Sequence, residues 1–381
     1  MPPAPPKQTI FTTMSALATE LGAINLGQGF PDAEHAPELL AAAQRALAHK
    51  SNQYPPMRGL PELRAAICDY YGRRQGLALD PAQVVVTSGA TEALAASILA
   101  VVQRGDEVIV LQPCYDAYIP LIERAGGMAV AVNLAPPHWT IPFDALAAAI
   151  TPRTRLIIAN TPNNPTGTLL TRADFERLGE LCEAHDLTLL CDEVWEGMIF
   201  NGSAHASPLH VDSLKGRAIK VGSAGKLFSL TGWKVGWAVA AAPLADAIAG
   251  QHQFLTFTTA TPLQWAVAEG LTLPDEWHDA HAAIYAPRRA QLIAGLEAAG
   301  YVVLPSAGTW FVTIDLAASG LPADDELVAE RLIREAGVAS IPVSAFYRDN
   351  ALRGYLRLCF AKQEGVIEEA LGRLAGFRTS I

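Results

Sequence analysis

Between residues 84 and 242, short apolar runs alternate with helical stretches, and turn-forming residues stand where the runs end. Residues 84–88, 107–111, 155–159, 188–191 and 218–222 read as strands, and 235–242 as a further core strand. Helices follow from Gly89 to residue 102 and over 173–185. Such alternation builds an α/β fold with a mostly parallel sheet, and open α/β sheets bind ligands at the carboxyl ends of their strands. The residues worth examining for chemistry are therefore the ones that close each run.

The stretch Ser223-Ala224-Gly225-Lys226-Leu227-Phe228 continues as Thr231-Gly232-Trp233-Lys234-Val235-Gly236-Trp237, with two lysines eight positions apart among small residues. A nucleophilic lysine needs a defined turn and small neighbours, so that a flat ligand can reach its ε-amino group. A second lysine nearby neutralises a phosphate and lowers the pKa of the first. Taken alone, the stretch is equally a surface turn with two solvated lysines. Gly89-Ala90-Thr91-Glu92 opens a helix, where unpaired backbone N–H groups and the positive end of the dipole form an anion cradle. Many α/β proteins have this turn without a ligand. Tyr115 follows a strand and is either packed or lies flat on a heteroaromatic ring. The run Asn160-Thr161-Pro162-Asn163-Asn164-Pro165-Thr166-Gly167 is a turn by its prolines and asparagines. Asp192-Glu193-Val194-Trp195 puts two acids at the end of a buried strand, which is costly unless they are partnered. A metal pair is conceivable there, but no histidine cluster lies close in sequence to complete it.

Outside this region, Ile24-Asn25-Leu26-Gly27-Gln28-Gly29-Phe30-Pro31-Asp32 marks a segment that turns tightly or approaches something closely. Its two glycines lack the third of a dinucleotide fingerprint. Helices are expected over 12–21 with Gly22 as the stop, over 37–48 and over 61–72. Tyr54, before Pro55 and Pro56, stands on an exposed loop or in ordinary interface packing. A long helix over 276–299, interrupted at Pro287, connects to strands at 302–304 and 309–314. Arg357 lies in the apolar strand 354–361, where it needs an anionic partner; its planar fork suits a carboxylate, from a salt bridge or from a ligand.

Half of the 381 residues are hydrophobic and 17% are charged, the composition of a well-buried globular chain long enough for a large and a smaller domain. The net charge of −10 and the lack of a basic run argue against nucleic acid. The longest apolar run, residues 93–102, is too short to span a bilayer, so no membrane association is expected. Residues 1–6 read as a loose tail without a signal pattern. Five scattered cysteines, never spaced Cys-x-x-Cys, argue against a zinc site or a disulfide framework. The expectation is a cytoplasmic protein with no metal.

In order, the motifs Gly-x-Gly, Asn-Gln-Tyr, Ser-Gly-Ala-Thr, Pro-x-Tyr, Asn-Pro-Thr-Gly, Asp-Glu-Val, Ser-x-x-Lys and Lys-Val-Gly-Trp, with the late arginine, resemble the class-I/II aminotransferases over residues 10–365. These are fold-type-I enzymes that use pyridoxal 5′-phosphate. The resemblance is strongest to the methionine, kynurenine and glutamine–phenylpyruvate group. Residues 11–17 and 253–257 lean towards bacterial methionine aminotransferases. It implies a large domain with a central, mostly parallel sheet over 40–280, and a smaller α/β domain from 1–39 and 281–381. It implies that Lys226 forms the Schiff base and shuttles a proton, and that Ser223, Lys234, Ala90 and Thr91 hold the cofactor phosphate. Tyr115 then stacks on the pyridine, Asp192 pairs with the pyridine nitrogen, and Asn164 bonds the ring oxygen. Gly29, Asn164 and Arg357 face the substrate, Arg357 clamping its α-carboxylate. Tyr54 crosses to the cofactor phosphate of a second copy in a homodimer with shared sites.

One position departs from the pattern. Most relatives carry a tyrosine where this chain has Trp195, and that phenol bonds the pyridine oxygen. The expectation is that Asn164 bears this bond alone.

The activity implied is ping-pong transfer of an amino group from an apolar or aromatic amino acid, methionine favoured, to a 2-oxo acid. Kynurenine or glutamine–phenylpyruvate transamination and β-elimination from cysteine conjugates use the same apparatus. A non-enzymatic sensor module is disfavoured by the acidic balance and by the few residues before position 10, too few for a DNA-binding domain.

Overall fold

The computed structural model describes residues 9–32 and 36–379, so the tail read at residues 1–6 lies outside it. Seven strands form the large sheet: β1 (Val84–Thr87), β2 (Glu107–Gln112), β3 (Met128–Asn133), β4 (Thr154–Asn160), β5 (Thr188–Asp192), β6 (Ala218–Ser223) and β7 (Gly236–Ala240). Their order is β1-β7-β6-β5-β4-β2-β3. β7 is antiparallel to both neighbours, and every other pairing is parallel.

The sheet is covered on both faces, which is why its strands read as unbroken apolar runs. Along each strand alternate side chains enter opposite layers. Val108, Val110, Leu156, Ile158, Leu190 and Ile219 pack with Ile98 and Ile248, from the Ala90–Val101 and Ala242–Leu255 helices. Ile109, Leu111, Ile157, Leu189 and Cys191 pack with Phe175 and Leu178 of the Arg172–Ala184 helix. Full burial of each such aliphatic chain stabilises by about 1.5–3 kcal/mol. Strand β3 was not expected. It is an edge strand, half-exposed along most of its length, so its sequence lacks the dense apolar run that marks the others.

A second sheet comprises β8 (Val302–Val303), β9 (Phe311–Asp315), β10 (Ile341–Pro342) and β11 (Tyr355–Cys359), in the order β10-β11-β9-β8 and antiparallel throughout. The Ile10–Leu21 helix stops at Gly22, which takes the left-handed φ of 61°. Its Met14 and Ala18 join Leu356, Leu358, Ile367 and Leu374 in one core. Ile24–Asn25 then pairs with Val338–Ala339, and the Cys359 N–H donates to the Leu26 carbonyl. These bonds bring the Gly27–Gly29 segment beside β11 and Arg357.

The expected long helix is two helices, Asp275–Ala283 and Tyr285–Ala298. The break falls at Ile284, ahead of Pro287, because proline lacks the N–H that would bond the carbonyl four residues back. The turn at Ser223–Phe228 is a single helical turn, Ala224–Leu227, at the end of β6.

Candidate active site

Five segments converge at the carboxyl ends of β2, β4, β5 and β6 and at the helix after β1, around a cavity of about 360 Å³. Ala90, Thr91, Tyr115, Asn164, Asp192, Trp195, Ser223, Lys226, Lys234, Gly29 and Arg357 all line it. Tyr54 does not. It is 81% exposed and meets Phe257 edge-on at 5.5 Å between ring centres.

One end of the cavity is built for an anion. Gly89 has φ 77° and precedes the helix whose first turn holds Ala90 and Thr91, so several N–H groups there have no helical partner. Lys234 takes a left-handed φ of 54°, and its Nζ would lie 3.1 Å from a Cβ placed on Gly89. Gly236 lets β7 run against this turn: a Cβ there would sit 2.5 Å from the Ala90 nitrogen. Tyr115 lines the cavity beside the cradle, its ring edge-on to that of Tyr118 at 5.8 Å between centres.

Asp192 ends β5 with its carboxylate buried. The Tyr118 hydroxyl donates to its Oδ2 at 2.7 Å and the Val194 N–H to its Oδ1 at 3.2 Å. Burial raises its pKa to about 6, against the lowering effect of those bonds. Asn160, at the end of β4, donates to the Asp192 carbonyl at 2.8 Å and accepts the Asn164 N–H at 2.7 Å. The two loops are thereby fixed to each other.

Lys226 donates to the Gly29 carbonyl at 3.1 Å and lies 4.5 Å from the ring centre of Trp195. Burial, helped by Arg357 and Lys234, brings its pKa down to about 8, so a usable fraction of free amine exists near neutrality. Trp195 is buried edge-on against Trp310 and Phe311, at 4.8 and 5.4 Å between centres. Arg357 donates to Asn164 Oδ1 at 2.7 Å and to the Gly27 carbonyl at 2.5 Å, and its guanidinium lies 3.9 Å over the Phe311 ring. Its Nε is buried without a partner. Burial lowers its pKa to about 9, which leaves it charged at neutral pH.

A cradle of N–H donors with a lysine, an aromatic ring beside it and a buried carboxylate fit the phosphate, ring and pyridine nitrogen of pyridoxal phosphate. Residues 22–374 match the family Aminotransferase class I and II. This chain is a class I/II aminotransferase. The methionine aminotransferase of Escherichia coli is 42% identical over 367 residues, covering 96% of this chain and 95% of the relative. A probable N-succinyldiaminopimelate aminotransferase of Mycobacterium tuberculosis is 40% identical over 379 residues, with the same coverage. The solved N-succinyldiaminopimelate aminotransferase of Mycobacterium tuberculosis superposes with a TM-score of 0.94 at 40% identity, over 97% of each chain. Members of the family use pyridoxal 5′-phosphate.

Several residues of the aminotransferase site left no local mark in the sequence. Tyr118 reaches Asp192 across 74 positions, and Phe311 arrives from the second sheet. Phe11 and Asp116 also line the cavity. The acid after Asp192 has its partners too. Lys220, buried in β6, bonds both Glu193 and Glu196, and His205 Nε2 lies 2.5 Å from Glu193 Oε2. Ligand atoms of Glu193, Glu196 and His205 come within 4.8 Å of one another, and the Lys220 ammonium is the cation already bonded to both carboxylates. Among the described residues no helix is long and apolar enough to cross a membrane.

Proposed function

We propose that this aminotransferase takes the amino group of an apolar L-amino acid, methionine foremost, and delivers it to a 2-oxo acid in two half-reactions at one cavity. The observation that carries the reading is the wall around Arg357. Phe11, Phe311 and Trp195 line the cavity, and the cationic side chains lining it among the described residues are Lys226, Lys234 and Arg357. Lys234 lies against Gly89 at the anion end and Lys226 is the amine, so Arg357 is left for one carboxylate. A donor's second carboxylate would meet phenyl rings and Asp116. The identity to methionine aminotransferase points the same way.

In this reading Arg357, held by Asn164 and Gly27, fixes the α-carboxylate and so the direction of the Cα–H bond. Bound pyridoxal phosphate supplies an electron sink for the charge left at Cα. Asp192 would hold a proton on the pyridine nitrogen, and Tyr115 would pack on the ring. Ser223, Lys234 and the N–H groups of Ala90 and Thr91 would take the phosphate. The Lys226 amine would take the Cα proton as base and hold it as the acid for the next transfer, which its lowered pKa favours. Asn164 would hold the ring oxygen. Trp195 turns a ring face to the Lys226 amine, a placement that supports Asn164 as the donor there.

The domain division into 40–280 and the two flanking segments remains part of this reading, supported by the core that Met14 shares with Leu356 and Ile367. So does a homodimer: Tyr54 and Phe257, in edge-on contact, are 81% and 41% exposed, and Phe254, three residues before Phe257, is 85% exposed, apolar surface that calls for a second copy. A panel of amino donors against 2-oxo acceptors tests the function. Methionine, leucine or phenylalanine should exceed aspartate and glutamate in kcat/KM by at least about tenfold, the value of one unpaired buried polar group. Dicarboxylates as the best donors would overturn it.

A further inference from the structure

Glu92 stands in the first turn of the Ala90–Val101 helix, three residues after Gly89 and buried. An acid at this place has an evident conflict. Its carboxylate accepts the Ser88 N–H, so it helps shape the anion cradle, yet its negative charge lies beside the site where a phosphate would bind. Its other oxygen accepts from the Thr256 hydroxyl at 2.6 Å and faces His252 Nδ1 at 2.7 Å. Burial would raise the carboxyl's pKa, but the bonds from His252, Thr256 and Ser88 outweigh it and lower it, keeping the group ionised.

His252 is fully buried, and its Nε2 lies 3.0 Å from the Met57 carbonyl. A carbonyl oxygen only accepts, so Nε2 carries a hydrogen. An ionised carboxylate only accepts as well, so Nδ1 carries one too. With both ring nitrogens facing acceptors, the bonds fit a doubly protonated ring against the carboxylate behind the cradle. The same ring fastens the Met57 loop, which follows Tyr54, to the helix that ends at Leu255.

We propose that His252 is a positioning residue for the phosphate end of the cavity: its positive charge cancels that of Glu92, so that Glu92 can hold the Ser88 N–H without repelling a phosphate dianion. This rests on the reading that the Gly89–Thr91 cradle takes the cofactor phosphate. The sign of the effect separates it from a merely structural role. Removing the histidine charge leaves an unbalanced anion and weakens phosphate binding. Removing the glutamate charge does not.

The test compares dissociation constants of the full-length chain for pyridoxal phosphate and for pyridoxal, by fluorescence titration, in wild type, His252→Gln, Glu92→Gln and the double variant. Pyridoxal phosphate should bind about tenfold more weakly to His252→Gln, the size of one charge-assisted hydrogen bond. Pyridoxal, lacking the phosphate, should change little. The double variant should recover most of the loss, and Glu92→Gln alone should bind pyridoxal phosphate at least as tightly as wild type, a result that stands even if His252→Gln folds poorly. Equal weakening for both ligands, no recovery in the double variant, or weaker binding by Glu92→Gln would overturn the proposal. A wild-type protein that does not prefer pyridoxal phosphate over pyridoxal would instead overturn the placement of the phosphate itself.

Discussion

Replacing Arg357 by lysine keeps a positive charge at the same place and removes the plane that presents it. The guanidinium has five N–H groups. Two are taken by Asn164 Oδ1 and the Gly27 carbonyl, and the Nε–H is buried without a partner. The phenyl ring of Phe311, 3.9 Å below, fixes the orientation of the fork. A substrate carboxylate can therefore meet two donors in one plane, where a lysine ammonium offers a single point of contact. With charge-assisted bonds at about 1.5–3 kcal/mol each, Arg357→Lys should lose about 2–3 kcal/mol in kcat/KM for methionine, on the order of 30- to 160-fold. The first half-reaction, followed by stopped-flow absorbance without an acceptor, isolates this loss from the carboxylate of the incoming 2-oxo acid. The control is the amine that corresponds to methionine without its carboxylate, which should be slow in both proteins and barely changed by the substitution. Thermal melts of both proteins are needed, because Asn164 Oδ1 and the Gly27 carbonyl each lose a donor at about 1–3 kcal/mol. If methionine and the amine lose rate equally, Arg357 is a structural residue and the carboxylate is bound elsewhere.

Three further outcomes are expected. Lys226→Met should abolish transamination. It should also raise the melting temperature of the cofactor-free protein near neutral pH, because burial holds the native lysine at about 8 against 10.5 in the unfolded chain. That native penalty is complete below pH 8 and disappears as pH rises to 10.5, so the gain must shrink across this window; a gain independent of pH contradicts the assignment. Tyr118→Phe removes a bond that lowers the Asp192 pKa, so the carboxyl should titrate above its present value of about 6. Pyridoxal phosphate binding should then weaken first on the acid side, and an unchanged pH profile would show that the phenol does not act through Asp192. Mixing inactive Lys226→Ala with an impaired Tyr54→Ala variant should restore part of the activity through hybrid dimers, whereas a fully active monomer in sedimentation would rule out shared sites.

The residues that carry local signals were legible before any fold was known. Lys226 stands on a tight turn of small residues, Asn164 among prolines and asparagines, and Ala90 and Thr91 after a glycine that opens a helix. These features follow from backbone preferences over a few neighbouring positions, and strand–helix alternation places them on one edge of a sheet. The resemblance in motif order then joined them into one cavity, which the fold assembles from all but Tyr54. Tyr54 is exposed in the single chain, and its role depends on a second copy.

What the tertiary structure alone decided is how the charges of the site are balanced. Nothing near Asp192 in sequence identifies Tyr118 as its donor, nothing near Glu193 identifies Lys220 and His205, and Glu92 meets His252 across 160 positions. A buried charge requires a partner, but that requirement fixes neither the partner's identity nor its distance along the chain. Edge strand β3 escaped notice for a related reason: half-exposed, it has no need of the apolar run by which a central strand is known. Local sequence sets where the backbone turns and which groups are offered. The sheet order and the packing of the two sheets determine which of those groups meet, because only in the closed fold do residues far apart share one low-dielectric interior.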